Sequence, residues 1–257
     1  MTYPFVKGHG TENDFVIVPA DVDLTPERAR ALCDRRAGIG GDGVIRAARD
    51  EDGRWFMDYR NSDGSLSEMC GNGIRVFARY LREEEGATFP LEIATRSGIK
   101  TLTESGNGFT VDMGAPRVLG ETKVAVGDRT WPATHIDVGN PHAVAFVDDL
   151  ADAGRLLDPP QHDEALYPEG VNVEFVVRRG ERHVAMRVHE RGSGETRSCG
   201  TGACAVMVAS ALADGATRPA AYRVDVPGGT LTIEWTEDDR VLMTGPAVIV
   251  ARGTTDL

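Results

Sequence analysis

Two of the four cysteines lie in closely similar surroundings. Cys70 stands in Ser-Glu-Met-Cys-Gly-Asn-Gly and Cys199 in Thr-Arg-Ser-Cys-Gly-Thr-Gly, 129 positions later in a chain of 257 residues. A thiolate can remove a proton from carbon, and a thiol can return one. Two such groups that act on opposite faces of one carbon would invert its configuration. The pair therefore predicts an epimerase or racemase in which one cysteine is the base and the other the acid.

A helix is predicted to begin directly after each cysteine. Apolar residues recur at helical spacing over residues 74–81, and residues 203–213 are apolar on nearly every side. A cysteine at a helix N-terminus lies against unpaired N–H groups and the positive end of the dipole, which lowers a thiol pKa from about 8.5 into the range ~3.5–7.5. We therefore expect a thiolate at neutral pH, with loop amides that bind a substrate carboxylate.

The two cysteine segments belong to a repeat that extends along the chain. Three further pairs of segments match in the same order at offsets of 127, 129 and 131, namely Asn13–Val16 with Asn140–Ala143, Gly41–Val44 with Gly170–Val173, and Val111–Gly114 with Leu242–Gly245. The repeat predicts an internal duplication with two pseudo-symmetric lobes, residues 1–117 and 118–245, and 246–257 as a candidate completion of the N-terminal lobe. The site is expected in the cleft between the lobes, where the cysteines would face each other.

Short strand patterns dominate the rest of the sequence. Residues 26–36 predict a helix, with Thr25 as its N-cap and Pro26 at its first position. We expect an α+β fold in which each lobe wraps a mixed or antiparallel strand layer around a central helix. The expected strands include residues 14–18, 55–59, 91–94, 109–113, 142–147, 173–177 and 231–235.

Composition argues against several classes of partner. The formal net charge is −12 and the basic residues form no block, so neither nucleic acid nor an anionic membrane is an expected partner. The N-terminus lacks a signal-peptide pattern, and the least interrupted apolar stretch, residues 203–209, is far shorter than the ~20 residues of a membrane span. We expect a cytoplasmic enzyme that acts on a small molecule.

No cofactor and no metal are expected. The cysteine spacings match no zinc site. Pyridoxal phosphate, the usual electron sink for α-proton chemistry, is held by a lysine, and none of the three lysines stands beside a convincing phosphate loop. Residues 38–43 match the dinucleotide pattern Gly-x-Gly-x-x-Gly, but a helix precedes them and a strand follows, the reverse of the required order. We interpret them as a turn that shapes the cleft.

Several segments together resemble the signature blocks of the diaminopimelate epimerase family. They span residues 7–202 in order and comprise Lys7–Phe15, Arg36–Gly43, Arg60–Gly64, Cys70–Gly73, Gly139–His142, Gly170–Val173 and Glu190–Gly202. The resemblance implies a two-lobe α+β fold, a homodimer, and cofactor-independent interconversion of LL- and meso-2,6-diaminopimelate for lysine and peptidoglycan precursor synthesis.

The resemblance also implies a role for each residue of the site. Cys70 and Cys199 would be the proton donor and acceptor. The reacting carboxylate would be held by the loops, through Gly71, Asn72, Gly200 and Thr201. The rest of the substrate would be held by Asn13, Asn61, Asn140, Asn172, Glu190 and Arg191, with His142 at the border. Arg191 would bind the distal carboxylate and Glu190 the distal ammonium. Gly43 is left out, because some members have a glutamine there.

Other interpretations stay open. A related two-lobe racemase or isomerase could act on another amino or hydroxy acid, such as proline. A thiol redox switch or amino-acid-binding module, with Cys70 and Cys199 in a disulfide, would show no turnover under reducing conditions. Glu190 and Arg191 could simply pair with each other at a strand end. Cys33 and Cys204 are interpreted as buried packing residues.

Overall fold

The computed structural model describes residues 2–257 as two compact units. One unit contains the chain up to Asp112 together with Thr244–Leu257, and the other contains Met113–Met243. Each unit combines strands with a cysteine-capped helix, which confirms the predicted α+β class. Within residues 2–257 the helices are α1 (Pro26–Cys33), α2 (Gly71–Glu84), α3 (Gly200–Ala213) and a short 3-10 helix (Leu150–Ala153). In that described part of the chain, no helix has the length and apolar character needed to cross a membrane.

Strands form most of the remaining structure, and all seven predicted strands are present. The strands up to the middle of the chain are β1 (Tyr3–Gly10), β2 (Asn13–Pro19), β3 (Gly43–Arg49), β4 (Trp55–Asn61), β5 (Leu91–Thr95), β6 (Gly98–Ser105), β7 (Gly108–Gly114), β8 (Arg117–Val126) and β9 (Arg129–Asp137). They are followed by β10 (Pro141–Phe146), β11 (Asn172–Gly180), β12 (His183–Glu190), β13 (Gly194–Thr196), β14 (Ala220–Val226), β15 (Gly229–Trp235), β16 (Val241–Pro246) and β17 (Val248–Thr255).

The two units repeat the same order of strand pairing. In the first unit β2–β3 is parallel, β3–β4 antiparallel, β4–β5 parallel and β5–β6 antiparallel. In the second unit the same sequence of pairings runs through β10–β11, β11–β12, β12–β14 and β14–β15. The cysteine-capped helix follows the third of these strands in the first unit and its counterpart in the second. This repeated topology supports the internal duplication inferred from the sequence.

Helix α1 is shorter than predicted. Thr25 is its N-cap, as expected, and accepts the Arg28 N–H at 3.2 Å. The helix ends at Cys33, because Asp34 leaves the helical region (φ −59°, ψ 120°). The chain then packs tightly back on the helix, since a Cβ added at Gly38 would lie 2.0 Å from the Ala31 carbonyl oxygen.

Strand alternation gives the layer of the second unit two different faces. Val173 and Phe175 of β11 join an apolar cluster on one face. Asn172 and Glu174 therefore point to the opposite face, where α3 packs against β10, β11 and β12. The polar residues of these strands lie close to the start of α3 as a result.

Candidate active site

Helix α2 begins directly after Cys70, which is its N-cap. The residue is extended (φ −139°, ψ 119°), and its Sγ accepts the Gly73 N–H at 3.4 Å. The thiol in turn lies 3.6 Å from Asn13 Oδ1, and Asn72 Nδ2 donates to the same oxygen at 3.2 Å. Three predicted site residues of the first unit therefore lie together around this sulfur.

The glycine-rich segment at 38–43 anchors Asn13. Asn13 Nδ2 donates to Asp42 Oδ2 at 2.7 Å, which leaves its oxygen for the thiol. Arg35 bridges Asp42 and Asp14, and Lys7 pairs with Asp14 at 2.6 Å. Burial alone would raise the pKa of Asp14, but hydrogen bonds and charge from Arg35 and Lys7 outweigh it and hold that pKa far below its usual range. The turn expected here thus fixes the orientation of a site residue.

A buried cation lies beneath the Cys70 loop. Arg75 has no exposed surface, its Nη1 donates to the Gly71 carbonyl at 3.2 Å, and its Nη2 donates to Asn72 Oδ1 at 3.0 Å. A guanidinium out of water needs such hydrogen bonds to offset its lost hydration. The loop that carries Asn72 is therefore held from below by a positive charge.

Asn61 lies at the edge of this cluster. It ends β4 opposite Gly43 in the antiparallel register, and its Nδ2 donates to Ser65 Oγ at 3.0 Å. Position 43 cannot hold a larger residue without movement, because a Cβ there would lie 2.4 Å from Tyr59 Cε2. In this chain, position 43 is therefore packed against Tyr59 with no room for a side chain.

Cys199 caps α3 in the same way as Cys70 caps α2. It is extended (φ −112°, ψ 114°), its Sγ accepts the Gly202 N–H at 3.3 Å, and Thr201 Oγ1 lies 3.5 Å from the sulfur. Only 6% of the residue is exposed. The repeat in the sequence therefore corresponds to two matching cysteine loops.

Strands β10 and β11 place the other polar residues of the second unit. His142 lies opposite Asn172 in the parallel register. Its Nε2 is 2.9 Å from Asn140 Oδ1, and its Nδ1 is 2.7 Å from Glu174 Oε1. Asn172 Oδ1 accepts the Arg191 N–H at 3.0 Å. His142 thus links Asn140 to the buried Glu174, and Asn172 lies beside it in the strand register.

Glu190 and Arg191, the two residues of the predicted clamp, lie in different surroundings. The Glu190 carboxylate is largely buried and takes hydrogen bonds from Thr196 Oγ1 and the Cys199 side chain. Burial raises its pKa, although these hydrogen bonds act in the opposite direction. Arg191 instead lies 3.7 Å from the exposed Glu169, with 40% of its own side chain exposed. These neighbours at a strand end point in different directions: the Glu190 carboxylate lies against the Cys199 thiol, and the Arg191 side chain lies at the surface.

Burial opposes the thiolate that was expected at Cys199. Burial raises the pKa of this thiol well above its usual value, and the charges of Glu190 and Glu174 raise it further. The hydrogen bonds from Thr201 and Gly202 act in the opposite direction. A helix terminus contributes at most ~2 kcal/mol. Full burial shifts a pKa by up to ~3–5 units at about 1.4 kcal/mol each. Burial therefore outweighs the helix terminus and favours the thiol form of Cys199.

Three charged residues of these clusters were missed by the sequence reasoning. Glu174 interrupts the apolar run Val-Asn-Val-Glu-Phe-Val-Val, and Arg75 interrupts a buried helix, so a charge inside an apolar segment was the available signal for both. Asp42 lies in a segment that was interpreted as a turn alone. Of the predicted residues, the first unit brings Asn13, Cys70, Gly71 and Asn72 together with Asn61 at the edge, and the second brings Asn140, His142, Asn172, Glu190, Cys199, Gly200 and Thr201 together with Arg191 at the surface.

Solved structures define the fold class. A PhzF-family phenazine biosynthesis protein of Bacillus anthracis has the same fold with a TM-score of 0.75, 18% identity and 100% coverage of both chains. A hydroxyproline epimerase of Agrobacterium vitis matches with a TM-score of 0.67, 15% identity and coverage of 99% and 91%. The chain therefore has the α+β fold that is shared by PhzF-family proteins and amino-acid epimerases.

Sequence relatives narrow this class to one family. The family model for diaminopimelate epimerase matches residues 5–119 and 134–250. A diaminopimelate epimerase of Streptomyces coelicolor is 60% identical over 98% of this chain and 95% of its own length. One of Corynebacterium aurimucosum is 45% identical over 98% and 99%. The chain belongs to the diaminopimelate epimerase family.

Proposed function

We propose that this enzyme interconverts LL- and meso-2,6-diaminopimelate without a cofactor, with Cys70 and Cys199 as the two proton carriers at one α-carbon. The observation that carries the proposal is the matched pair of N-cap thiols, each at the start of a buried helix in a chain of this family. Two cysteine loops with the same N-cap geometry suit an epimerisation, because proton removal and proton return are the same kind of step in both directions.

The proton transfer conserves atoms and charge. In one direction the Cys70 thiolate takes the α-proton, so that the C–H bond breaks, an S–H bond forms, and the electron pair stays on the α-carbon and its carboxylate. Cys199 gives its S–H proton to the opposite face of the carbon and becomes a thiolate. In the other direction the two residues exchange roles. Burial of Cys199 favours its thiol, which makes it the donor in the first of these directions.

The cysteine loops stabilise the charge that develops during the transfer. Removal of an α-proton sends negative charge to the substrate carboxylate, and no pyridine ring is proposed to take it up. N–H groups at the first turns of α2 and α3 are oriented to donate to such an oxyanion, and they need no reorganisation in the reaction. We assign this task to the loop residues Gly71, Asn72, Gly200 and Thr201.

The remaining polar residues bind and orient the substrate in this proposal. Asn13, Asn61, Asn140 and Asn172 supply amide groups, and the exposed guanidinium of Arg191 suits the distal carboxylate. Glu190 is assigned to the reacting end, because its carboxylate contacts Cys199. There it takes a hydrogen bond from the thiol before transfer.

We further propose a cytoplasmic homodimer that serves lysine and peptidoglycan precursor synthesis. The family resemblance supports this assignment, and so does the lack of any block of basic residues that a nucleic acid or membrane surface would require. Size-exclusion chromatography with light scattering should give twice the 27.7 kDa mass of one chain. A monomer at micromolar concentration would contradict the dimer.

Incubation with LL-diaminopimelate in deuterated water tests the activity. The dialysed, reduced enzyme should form the meso isomer and place deuterium at one α-carbon, as seen by NMR. L-Proline and trans-4-hydroxy-L-proline in parallel reactions should remain unlabelled. Turnover of either of these with none of diaminopimelate would refute the substrate, and a lysine-linked aldehyde in the mass spectrum would refute the cofactor-free chemistry.

A further inference from the structure

Glu174 is a buried carboxylate that the proposed proton transfer does not use. It lies on β11 opposite Val144 of β10 and Val188 of β12, and it has no exposed surface. Its Oε1 is 2.7 Å from His142 Nδ1, whereas its Oε2 has no hydrogen-bond partner among the described residues. A buried carboxylate with one unpaired oxygen opposes folding. Such a group calls for a functional explanation.

The carboxylate lies directly against the Cys199 loop. A Cβ added at Gly202 would lie 2.6 Å from Glu174 Oε1 and 3.2 Å from Cys199 Sγ. The glycine thus allows the oxygen to approach the backbone of the first turn of α3. Because this loop carries the proposed proton donor, Glu174 can affect the proton transfer without touching the substrate.

We infer that Glu174 is a positioning residue of the Cys199 half-site, where it fixes the His142 ring and puts a negative charge beneath the loop. The inference rests on the proposed function, because it concerns the group assigned as proton donor. Through His142 Nδ1 it sets the direction of Nε2, which holds Asn140 Oδ1 at 2.9 Å. The amide nitrogen of Asn140 is then left for the substrate.

The charge of Glu174 acts on Cys199 together with a small set of neighbours. The strands that pack against α3 are β9 to β12, β14 and β15. Their buried titratable groups are His135 on β9, His142 on β10, Glu174 on β11, His189 on β12 and Tyr222 on β14, with Glu190 partly buried at the end of β12. Among them, Glu190 and Glu174 both disfavour a thiolate at Cys199, in addition to burial. Two carboxylates therefore keep Cys199 as the donor when no substrate is bound.

The first unit has a charge of the opposite sign beside its cysteine loop, on the helix rather than on a strand. Arg75 donates to Gly71 and Asn72, so a buried cation lies beneath the Cys70 loop where a buried anion lies beneath the Cys199 loop. The two loops share their N-cap geometry but have different charged neighbours. This difference distinguishes two loops that would otherwise be equivalent, and it assigns the acid role at rest to Cys199.

Thiol titration without substrate tests this inference. The rate of alkylation of Cys199 by iodoacetamide is followed against pH by peptide mass spectrometry in the wild type, in Glu174→Gln and in the exposed control Glu121→Gln. Glutamine keeps an oxygen for His142 Nδ1 and removes the charge. We expect the midpoint of the Cys199 alkylation profile to move down by about one pH unit in Glu174→Gln, which is roughly a tenfold gain in thiolate at pH values below the midpoint. The midpoint should not change in the Glu121→Gln control.

The outcomes separate the inference from the proposed activity. An unchanged alkylation midpoint in a folded Glu174→Gln protein would overturn the inference that Glu174 positions the Cys199 half-site. If that variant fails to fold, Glu174→Asp decides, because the shorter side chain withdraws the carboxylate from the Cys199 loop. A lower Cys199 midpoint in this variant supports the inference, and an unchanged midpoint overturns it. Because no substrate is present, a shifted midpoint in a protein that does not turn over diaminopimelate would sustain the inference while refuting the activity.

Discussion

Gly202 and Gly73 occupy the same position in the two cysteine loops, and the structure predicts different responses to alanine. An added Cβ at Gly202 would lie 2.6 Å from Glu174 Oε1, about 0.8 Å inside an ordinary contact of ~3.4 Å. At Gly73 the shortest contact is 3.2 Å, to the Phe15 ring, and a few tenths of an ångström relieve it. The Gly202→Ala change must therefore displace a buried carboxylate, whereas Gly73→Ala need only shift an aromatic edge.

The difference can be put in numbers. Both changes gain up to ~1 kcal/mol of helix propensity, so this part cancels between them. Displacing Glu174 breaks its hydrogen bond to His142, a loss of about 1.5–3 kcal/mol for a charged group. We expect Gly202→Ala to be less stable than Gly73→Ala by about 2 kcal/mol, or roughly 4–8 °C in Tm.

Turnover should differ as well, because a catalytic group that is misplaced by ~1 Å can lower the rate about 10²-fold. We expect that loss in Gly202→Ala, and less than a ~10-fold loss in Gly73→Ala. Circular dichroism melting and deuterium incorporation measure both effects. Equal Tm and equal turnover in the two variants would refute the contact between Glu174 and the loop.

Three further predictions follow from the clusters. Cys70→Ala and Cys199→Ala should each reduce epimerisation by about 10²–10⁴-fold, with the double variant scarcely worse, while Cys33→Ala and Cys204→Ala keep the turnover of folded enzyme; more than about a tenth of wild-type turnover in Cys70→Ala would contradict the mechanism. Asp42→Ala should raise KM about tenfold with little change in kcat, because Asn13 loses the partner that orients its amide; an unchanged KM would show that Asn13 needs no anchor. Thr196→Val removes a hydrogen bond that lowers the pKa of Glu190. The pKa of Glu190 should therefore rise, and the acidic limb of the pH profile of kcat/KM should move to higher pH. A shift of this limb to lower pH would show that Glu190 does not determine it.

Local pattern was sufficient for the elements that carry the thiols. The Cys-Gly-x-Gly segments and the helical spacing after them predicted α2 and α3, and the repeat predicted that their caps match. Thr25 and Pro26 likewise predicted the start of α1. These features depend on residues within a few positions of one another, which is what sequence spacing reports.

Contacts between distant segments could not be predicted in the same way. Glu174 meets His142 from 32 positions away, and Asp42 meets Asn13 from 29 positions away. The protonation of Cys199 depends on how completely the strands bury it, which the helix that follows does not indicate. A charged residue that interrupts an apolar run, such as Glu174, can be recognised in the sequence. Its partners cannot, because they depend on strand register.

The first unit is assembled from segments at both ends of the sequence, with consequences for synthesis. β17 pairs antiparallel with β1, and Arg79 Nε of α2 donates to the Ala247 carbonyl at 3.1 Å. A ribosome makes residues 113–243 before these partners exist, so the second unit can finish its contacts first. A nascent chain held before β17 would carry a complete Cys199 loop, while the helix behind Cys70 still lacked its last strand. The Cys199 loop would therefore be complete before the Cys70 loop.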